Sequence, residues 1–507
     1  MFKNHPKGLL AAALSNMGER FGFYTMMAIL VLFLQSKFGL DGTTAGIIYS
    51  VFYALIYILA LVGGIIADKT RNYKGTILVG LFVMALGYLM IAIPSPTPVS
   101  NKTLFLIISC VGLFTIAFGN GLFKGNLQAL VGQMYDNPQY SKLRDSGFQI
   151  FYMFINVGAM FAPFVAKYVR GLWLAKNGFE YNPNLPSICH SYIDGTITPE
   201  STQRLGELMT QVDKTGAYAG NVDGFVNAYL DSFVTGFHYA FGVAILTMII
   251  SVGIFLINKK HLPDVKSKKE AAASKDTKTV EMDPKEVKQR IYALFAVFAV
   301  VIFFWFSFHQ NGLTLTFFAR DYTSLNLFGY NLAVEDFQSA NPIFVVSLTF
   351  VVIAVFSWLR SKGMEPSTPK KIAIGMFIAA IGFLVMTLGS VGLPMHKEVL
   401  AAGSLAEAQK VTPFLLIGTY FILTVAELFI SPLGISFVSK VAPPQYQGVM
   451  QGGWLGATAL GNQLLFIGAI FYENIPIWMT WGLFVVACLI SMGTMLAMLK
   501  WLERVAK

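Results

Sequence analysis

The sequence predicts an all-α integral membrane protein with twelve transmembrane helices in two six-helix bundles. Of its 507 residues, 55% belong to the apolar class and only 13% are charged. A soluble protein carries about 25% charged residues, whereas a helix that faces lipid needs apolar side chains on its outer surface. The composition therefore excludes an ordinary water-soluble protein, and the bilayer is the expected solvent.

Apolar stretches of about twenty residues, the length needed to cross a bilayer, predict the individual helices. Six of them lie in the first half of the chain, near 8–36, 45–67, 75–94, 104–132, 146–170 and 233–257. Six more lie in the second half, near 291–319, 342–359, 372–392, 413–438, 448–471 and 475–499. These stretches divide the chain into two bundles of equal helix number.

A polar, Lys-rich segment with few aromatic residues separates the bundles at 258–290, as expected for a solvated linker. We therefore predict bundles over 1–257 and 291–507. Lys and Arg cluster in this linker, near both termini and in further loops on the same side. The positive-inside rule then predicts a multi-pass protein of the cell inner membrane with both termini cytoplasmic. The opposite side carries an insert, about 171–232, which is either a docking surface or a tolerated insertion.

The sequence also narrows the class of function. The net charge of +10 does not indicate nucleic acid, because the basic residues lie in these short loops. No GxxxxGKS phosphate loop is present, which excludes ATP hydrolysis by that route, and the three cysteines show no disulfide or metal-site spacing. We predict no enzyme activity, no metal and no cofactor. Six plus six helices indicate the major facilitator fold, with a substrate site at midplane, and the energy for transport would come from a gradient or a partner.

Five ionisable residues lie within predicted spans: Glu19, Arg20, Lys124, His309 and Glu427. Each costs about 2.5–3.5 kcal/mol at the bilayer centre on insertion scales, so each indicates a function. Arg20 and Lys124 come from the first half and Glu427 from the second. A zwitterion between the halves would meet opposite charges at its two ends, and a di- or tripeptide is such a zwitterion. The alternative is that these groups pair with one another and stabilise the bundle, although desolvation makes buried ion pairs weak stabilisers.

Helical periodicity places further polar and aromatic residues beside these charges, because positions three or four apart share a helix face. The rows are Asn16, Arg20, Tyr24 and Met27 on the first helix, Asn120, Lys124 and Gln128 on the fourth, Trp305 and His309 on the seventh, Glu427 and Ser431 on the tenth, and Trp454, Thr458 and Asn462 on the eleventh. Glycines around Lys124, in AFGNGLFKGN, favour close approach of neighbouring helices.

Short segments on nearly every predicted helix carry a further signal. In the first half they are ERFGFY (19–24), GGIIADKTRNYKGTI (63–77), FGNGLFKGN (118–126) and FYMFINVGAM (151–160). In the second half they are FFWFSFHQ (303–310), FQSANPIF (337–344), PSTPKKIAIG (366–375), ELFISPLG (427–434) and GGWLGATALGN (452–462). In this order they resemble the signatures of the proton-dependent oligopeptide transporters of the major facilitator superfamily, and FYxxINxG is the most specific of them. The resemblance implies symport of peptides with protons.

The resemblance also implies roles for individual residues. The peptide carboxylate would face Arg20, Tyr24, Tyr57 and Lys124, the peptide backbone and amino terminus would face Asn341 and Glu427, and Trp305, Ser431 and Trp454 would shape side-chain pockets. Asp68 resembles a loop acid that gates the cytoplasmic side, and its alternative role is that of a helix cap.

Three positions depart from the family pattern. Asn16 replaces the first acid of ExxER, His309 replaces an acid on helix seven, and Met27 replaces an Arg late in helix one. In the family, that Arg and the helix-seven acid resemble a gating pair. The two missing acids would normally accompany Lys124, and a lone ammonium in apolar surroundings tends to lose its proton. Lys124 therefore needs Glu19, Glu427 or the substrate carboxylate as its partner.

Proton coupling is open for the same reason. The candidates are Glu19, His309 and Glu427. The ordinary imidazole pKa near 6.5 favours His309 as the replacement proton site, and weak or absent coupling is the alternative.

Two other functions also stay open. Arg20 and Lys124 would suit a small anion such as nitrate, or a peptide-like drug, although Glu427 would not favour an anion. A non-transporting receptor would sense peptides through the same cavity.

Overall fold

The computed structural model describes residues 5–135, 137–140, 143–263, 283–443 and 446–506. Within these ranges the chain is almost entirely helical, and twelve helical segments are long and apolar enough to span a membrane. The predicted all-α fold with twelve spans is confirmed. Residues 264–282, most of the predicted linker, lie outside the described residues.

The helices of the two halves are named here in chain order. The first half contains α1 (Lys7–Phe38), α2 (Gly42–Thr70), α3 (Tyr73–Ala92), α4 (Lys102–Met134), α5 (Arg144–Lys176), α6 (Leu185–Ile193), α7 (Pro199–Val212) and α8 (Val222–Asn258). The second half contains α9 (Pro284–Phe308), α10 (Thr314–Asp321), α11 (Ala340–Ser361), α12 (Thr368–Gly389), α13 (His396–Ala402), α14 (Pro413–Val441), α15 (Gln447–Gln463), α16 (Leu465–Asn474) and α17 (Ile477–Val505). Short 3₁₀ helices occupy Lys259–His261, His309–Gly312, Val334–Ser339 and Glu407–Gln409, and β1 (Asn326–Leu327) pairs antiparallel with β2 (Tyr330–Asn331).

The bundle has two ends, which we name by what they carry. At the terminus side, His5 Nδ1 lies 2.7 Å from the hydroxyl of Tyr135, which follows α4. The insert side carries the segment between α5 and α8, where His190 Nε2 lies 2.7 Å from the carbonyl oxygen of Ser36 at the end of α1.

The insert is folded against the second half of the protein. Because α5 and α8 extend beyond their predicted bounds, the insert shrinks from 171–232 to 177–221. Ser201 Oγ on α7 donates to the carbonyl oxygen of Ala401 at 2.9 Å, and Arg204 Nε donates to Ser404 Oγ at 2.8 Å. The insert, which belongs to the first half of the chain, therefore contacts the second half. Neither predicted role of the insert, a docking surface or a tolerated insertion, had included this contact.

Two spans that the sequence predicts as continuous helices, 291–319 and 448–471, are broken inside the bundle. The first is interrupted at His309–Gly312 and the second at Leu464. Broken helices are tolerated at membrane depth where buried backbone groups find partners. Gln310 is such a partner for the second break, because its Nε2 donates a hydrogen bond to the backbone carbonyl oxygen of Leu465 at 3.2 Å. A glycine at 468 leaves room for this side chain, since a Cβ there would lie 2.5 Å from Gln310 Oε1.

Close packing of α4 against its neighbours fixes the position of Lys124. A Cβ at Gly119 would lie 2.6 Å from the carbonyl oxygen of Gly80, and one at Gly121 would lie 2.4 Å from that of Leu59. Side chains at these positions would push the helices apart. The predicted close approach is confirmed, and Lys124 lies about one turn beyond it.

Candidate substrate cavity between the two halves

A cavity of about 320 Å³ lies between the halves of the bundle. Its wall contains all nine residues predicted to contact a peptide: Arg20, Tyr24, Tyr57, Lys124, Trp305, Asn341, Glu427, Ser431 and Trp454. Met27 and His309 lie in the same wall. The fold thus brings together residues from both halves, and their individual roles stay predictions.

Arg20 is held by a counter-ion from its own helix. Its Nε and Nη2 donate to the Glu19 carboxylate at 2.5 and 2.6 Å, and Asn120 Nδ2 donates to Glu19 Oε1 at 2.8 Å. Glu19 is fully buried and does not line the cavity. Glu19, Arg20 and Asn120 therefore form a neutral unit at the edge of the cavity, with the proton-coupling candidate Glu19 behind Arg20.

Lys124 faces the cavity without a counter-ion among the described residues. Its Nζ lies 4.7 Å from the ring centroid of Tyr57, which is a cation–π contact. Neither Glu19 nor Glu427 is within ion-pair distance of it. Asn16, which stands where the resemblance implies an acid, is buried, and its Nδ2 has no hydrogen-bond partner in the described part of the chain. Of the three predicted partners of Lys124, only the substrate carboxylate is left.

Glu427 is the carboxylate of the cavity wall within the described part of the chain. Asn341 Nδ2 donates to Glu427 Oε2 at 2.8 Å and to Thr424 Oγ1 at 3.0 Å. These contacts orient the carboxylate but supply no positive charge. Pro432, inside α14, cannot donate a backbone hydrogen bond to the carbonyl of Leu428. The helix thus lacks the backbone N–H that would ordinarily donate to the carbonyl one residue after Glu427.

His309 lies at the break after α9 and is enclosed by aromatic rings. Its ring centroid is 4.8 Å from that of Trp305, stacked at 23°, and 4.8 Å from that of Tyr53. The predicted shared face of Trp305 and His309 is confirmed. Nδ1 forms a hydrogen bond with Asn462 Oδ1; because an amide oxygen only accepts, Nδ1 carries the proton of the neutral ring, which leaves Nε2 as an acceptor.

Two indole rings bound the part of the cavity predicted to hold peptide side chains. Trp454 packs against Gly434, where a Cβ would lie 1.9 Å from the indole Cη2. The absence of a side chain at Gly434 thus leaves room for the ring against α14. Trp305 is 6% exposed, and its Nε1 has no hydrogen-bond partner among the described residues. This N–H can donate to a group inside the cavity.

Sequence reasoning missed part of the wall. Tyr49 and Tyr53 line the cavity together with Tyr57, and successive ring centroids lie 5.8 and 6.0 Å apart. The three tyrosines are four residues apart in the sequence, and this spacing predicts that they share one face of the helix. Asn156, inside the FYxxINxG signature, also lines the cavity without a predicted role.

Asp68, the predicted gating residue, lies outside the cavity wall. It is exposed in the last turn of α2 at the terminus side and accepts a hydrogen bond from the Tyr73 hydroxyl. The cap of α3 is Asn72, whose Oδ1 accepts from the Gly75 N–H at 2.9 Å. Asp68 is therefore not that cap, and its gating role stays a prediction.

The cavity opens toward the terminus side. There Tyr152 and Ile435 of its wall are 49% and 46% exposed, and Gln128 is exposed as well. Toward the insert side the wall is closed, because Tyr49 is 2% exposed and its hydroxyl lies over Gly312, where a Cβ would come within 2.0 Å.

Comparison with known proteins places this arrangement in a family. Residues 74–282 and 272–478 match the model of the POT family. The peptide transporter YePEPT of Yersinia enterocolitica is 30% identical over 482 residues, which cover 91% of this chain and 87% of that protein. Dipeptide and tripeptide permease B of Xenorhabdus bovienii is 26% identical over 533 residues, which cover 99% and 97% of the two chains.

A solved structure agrees with the fold. The crystal structure of a peptide transporter POT in complex with sulfate has a TM-score of 0.74 and 24% identity, and the match covers 100% of this chain and 96% of that one. The resemblance found in the sequence is confirmed. This chain, a multi-pass membrane protein with the major facilitator fold, belongs to the POT family.

Proposed function

We propose that this protein imports di- and tripeptides by alternating access and binds each peptide by both of its charged ends. One observation carries this proposal. Lys124 and Glu427 face one cavity from opposite halves, and neither has a counter-ion among the described residues. The substrate class is supported by the names of the relatives in Yersinia enterocolitica and Xenorhabdus bovienii, a peptide transporter and a dipeptide and tripeptide permease.

In the proposed complex the peptide supplies the missing counter-ions. Its carboxylate binds Lys124, with Arg20 and the tyrosines Tyr24 and Tyr57 nearby. Its ammonium binds Glu427, and Asn341 contacts the backbone. Trp305, Ser431 and Trp454 surround the side chains. Because a buried charge is costly without a partner, binding relieves two unfavourable charges at once.

Alternating access follows from the two halves. We assign the terminus side to the cytoplasm of a cell with an inner membrane, because Lys and Arg concentrate in the loops of that side. The structure then corresponds to the inward-open state. The bundles 1–257 and 291–507 would rock around the cavity, with 258–290 as their connection and Asp68 at the inner gate.

We further propose that His309 carries the coupling proton. Nδ1 already donates to Asn462, so Nε2 is the site that gains and loses a proton. Glu427 is the second candidate, because it lines the same cavity. Glu19 is the weakest of the three, since it is fully buried behind Arg20.

A small anion is the competing substrate class, because Lys124 has no acidic partner among the described residues. Glu427 opposes this alternative, since an anion would leave its charge uncompensated in the same cavity. Peptide-like compounds with both charges would bind as peptides do.

Uptake into proteoliposomes tests the proposal. A labelled dipeptide should accumulate when an inward pH gradient is imposed, and counterflow should proceed without one. N-acetylation and C-amidation should each weaken competition by about 10- to 100-fold, the effect of losing a hydrogen bond to a charged group. Equal competition by free and blocked peptides, or stronger competition by nitrate, would contradict it. Binding without counterflow would identify a receptor.

A further inference from the structure

A buried pair of charges joins the two halves at the insert side. Arg170, near the end of α5, places Nη1 2.6 Å from Glu335 Oε1, and the two side chains are 1% and 0% exposed. Glu335 belongs to the 3₁₀ helix that leads into α11 of the second half. Next to this pair, Lys167 Nζ lies 2.8 Å from Asp336 Oδ2. Within the described residues, these are the two ion pairs that connect one half to the other.

The geometry of the Arg170–Glu335 pair is poor for stability alone. The contact joins one nitrogen of the guanidinium to the carboxylate, and Arg170 Nε has no hydrogen-bond partner among the described residues. The guanidinium also lies 3.9 Å from the ring centroid of Tyr181 in the insert. Removing two charges from water costs several kcal/mol per ion, and an incompletely hydrogen-bonded pair recovers little of it. A buried ion pair is better supported as a means of selecting one arrangement of two packed parts of a protein than as a source of stability.

The pair lies where closure of the cavity has to be maintained. A depression of about 1030 Å³ opens on the insert side, and Arg170, Lys167, Tyr181 and Tyr330 line it. Water therefore reaches Lys167 of the neighbouring ion pair, while Arg170 and Glu335 stay buried and the substrate cavity is closed on the same side.

We propose that Arg170 and Glu335 form an electrostatic latch that closes the substrate cavity on the insert side and breaks when the cavity opens there. Met27 and His309 occupy the positions at which the family resemblance implies a gating pair, and the uncharged Met27 cannot form one. Arg170 and Glu335 would provide the charge contact between the halves in place of that pair. This inference rests on the proposed transport function. It assigns the contact that holds the transporter in the state closed on the insert side.

Access of a reagent to the cavity tests the latch without any substrate. Met27→Cys is introduced into a background whose three native cysteines are replaced by serine, and a membrane-impermeant maleimide is applied to the insert side of vesicles. Arg170→Gln and Glu335→Gln should each raise the labelling rate about 10-fold or more, corresponding to a shift of about 1.4 kcal/mol between the states. The reversed pair Arg170→Glu/Glu335→Arg should restore slow labelling, because opposite charges meet again.

A matched control comes from the insert itself. Lys214 and Glu180 form an ion pair at 2.9 Å with side chains 55% and 59% exposed. Lys214→Gln removes the same charge from the same region and should leave the labelling rate unchanged.

The neutral double variant Arg170→Gln/Glu335→Gln carries the test if the single variants fail to fold, because it leaves no buried charge unpaired. Its labelling should also be fast. Slow labelling of this variant, or fast labelling of the reversed pair, would overturn the latch. Either result would leave the peptide-binding proposal untouched, since that is measured by competition.

Discussion

Lys124→Met should abolish recognition of the peptide carboxylate while the protein stays folded. Within the described residues Lys124 contacts the ring of Tyr57 and forms no ion pair, so an apolar side chain of similar length leaves no charged partner behind. Glu19→Gln provides the contrast, because it strips Arg20 of its counter-ion. Breaking a buried pair in this way typically costs about 3–5 kcal/mol. The two variants separate a charge that binds substrate from a charge that maintains the fold.

The size of the binding loss follows from the environment of Lys124. A hydrogen bond to a charged group contributes about 1.5–3 kcal/mol, which corresponds to about 10- to 100-fold in affinity. Two unit charges 4 Å apart attract by about 4 kcal/mol at an effective dielectric constant of 20, which sets an upper bound near 1000-fold. Arg20 cannot replace Lys124, because Glu19 already neutralises it.

Competition by a free dipeptide and by its C-terminal amide measures this contact directly. In the parent protein the amide should compete about 10- to 100-fold more weakly. In Lys124→Met the two ligands should differ by less than about threefold, because the group that distinguishes them is gone. Lys102→Met is the matched control, since Lys102 is exposed at the opposite end of the same helix. If amidation still weakens competition tenfold in Lys124→Met, the carboxylate binds elsewhere and the assignment is wrong.

Three further variants test other parts of the molecule. His309→Gln should keep peptide counterflow and lose uphill uptake driven by a pH gradient, and concentrative uptake by this variant would exclude His309 as the proton carrier. Gly434→Ala should displace Trp454, because the new Cβ would lie 1.9 Å from the indole. The uptake of dipeptides with bulky side chains relative to those with small side chains should then change, and an unchanged uptake ratio would contradict the predicted side-chain pocket. Hydrogen bonds, led by the one from Arg360, lower the pKa of Glu365 from 4.5 to about 2. The charged carboxylate therefore stabilises the folded protein fully above pH 4.5, and this stabilisation is lost as the pH falls toward 2. Glu365→Gln should therefore lower the free energy of unfolding by about 0.5–1 kcal/mol at pH 7 and by less at pH 3, and an equal loss at both pH values would refute the charge contact.

Hydropathy predicted the number of spans because each span must cover the same apolar thickness. It did not predict where helices continue into water, since the bilayer no longer constrains composition there. α8 begins at Val222, well before the predicted start at 233, and Asn221 caps it by accepting from the Gly224 N–H at 2.9 Å. A capping side chain is a local signal that a window of about twenty residues averages away.

The cavity wall was predictable for a different reason. An intramembrane polar group has few acceptable surroundings, so one polar face on each helix was expected to turn toward a shared interior. The choice of partners was not predictable. Glu19 pairs with its neighbour Arg20 and not with Lys124, and Arg170 meets Glu335 across the two halves. Helical spacing determines which face a residue occupies, but only the packing of the helices determines which charge it meets.

The charges of the cavity narrow the range of possible substrates further than the residue types alone do. Glu19 and Arg20 neutralise each other, so within the described residues the wall offers Lys124 as an unpaired cation and Glu427 as an unpaired carboxylate. An anion would neutralise Lys124 and leave Glu427 charged, and a cation would do the reverse. Either ligand keeps one uncompensated charge at membrane depth, which is costly. A zwitterion compensates both charges. A peptide, which carries one charge at each terminus, is such a zwitterion.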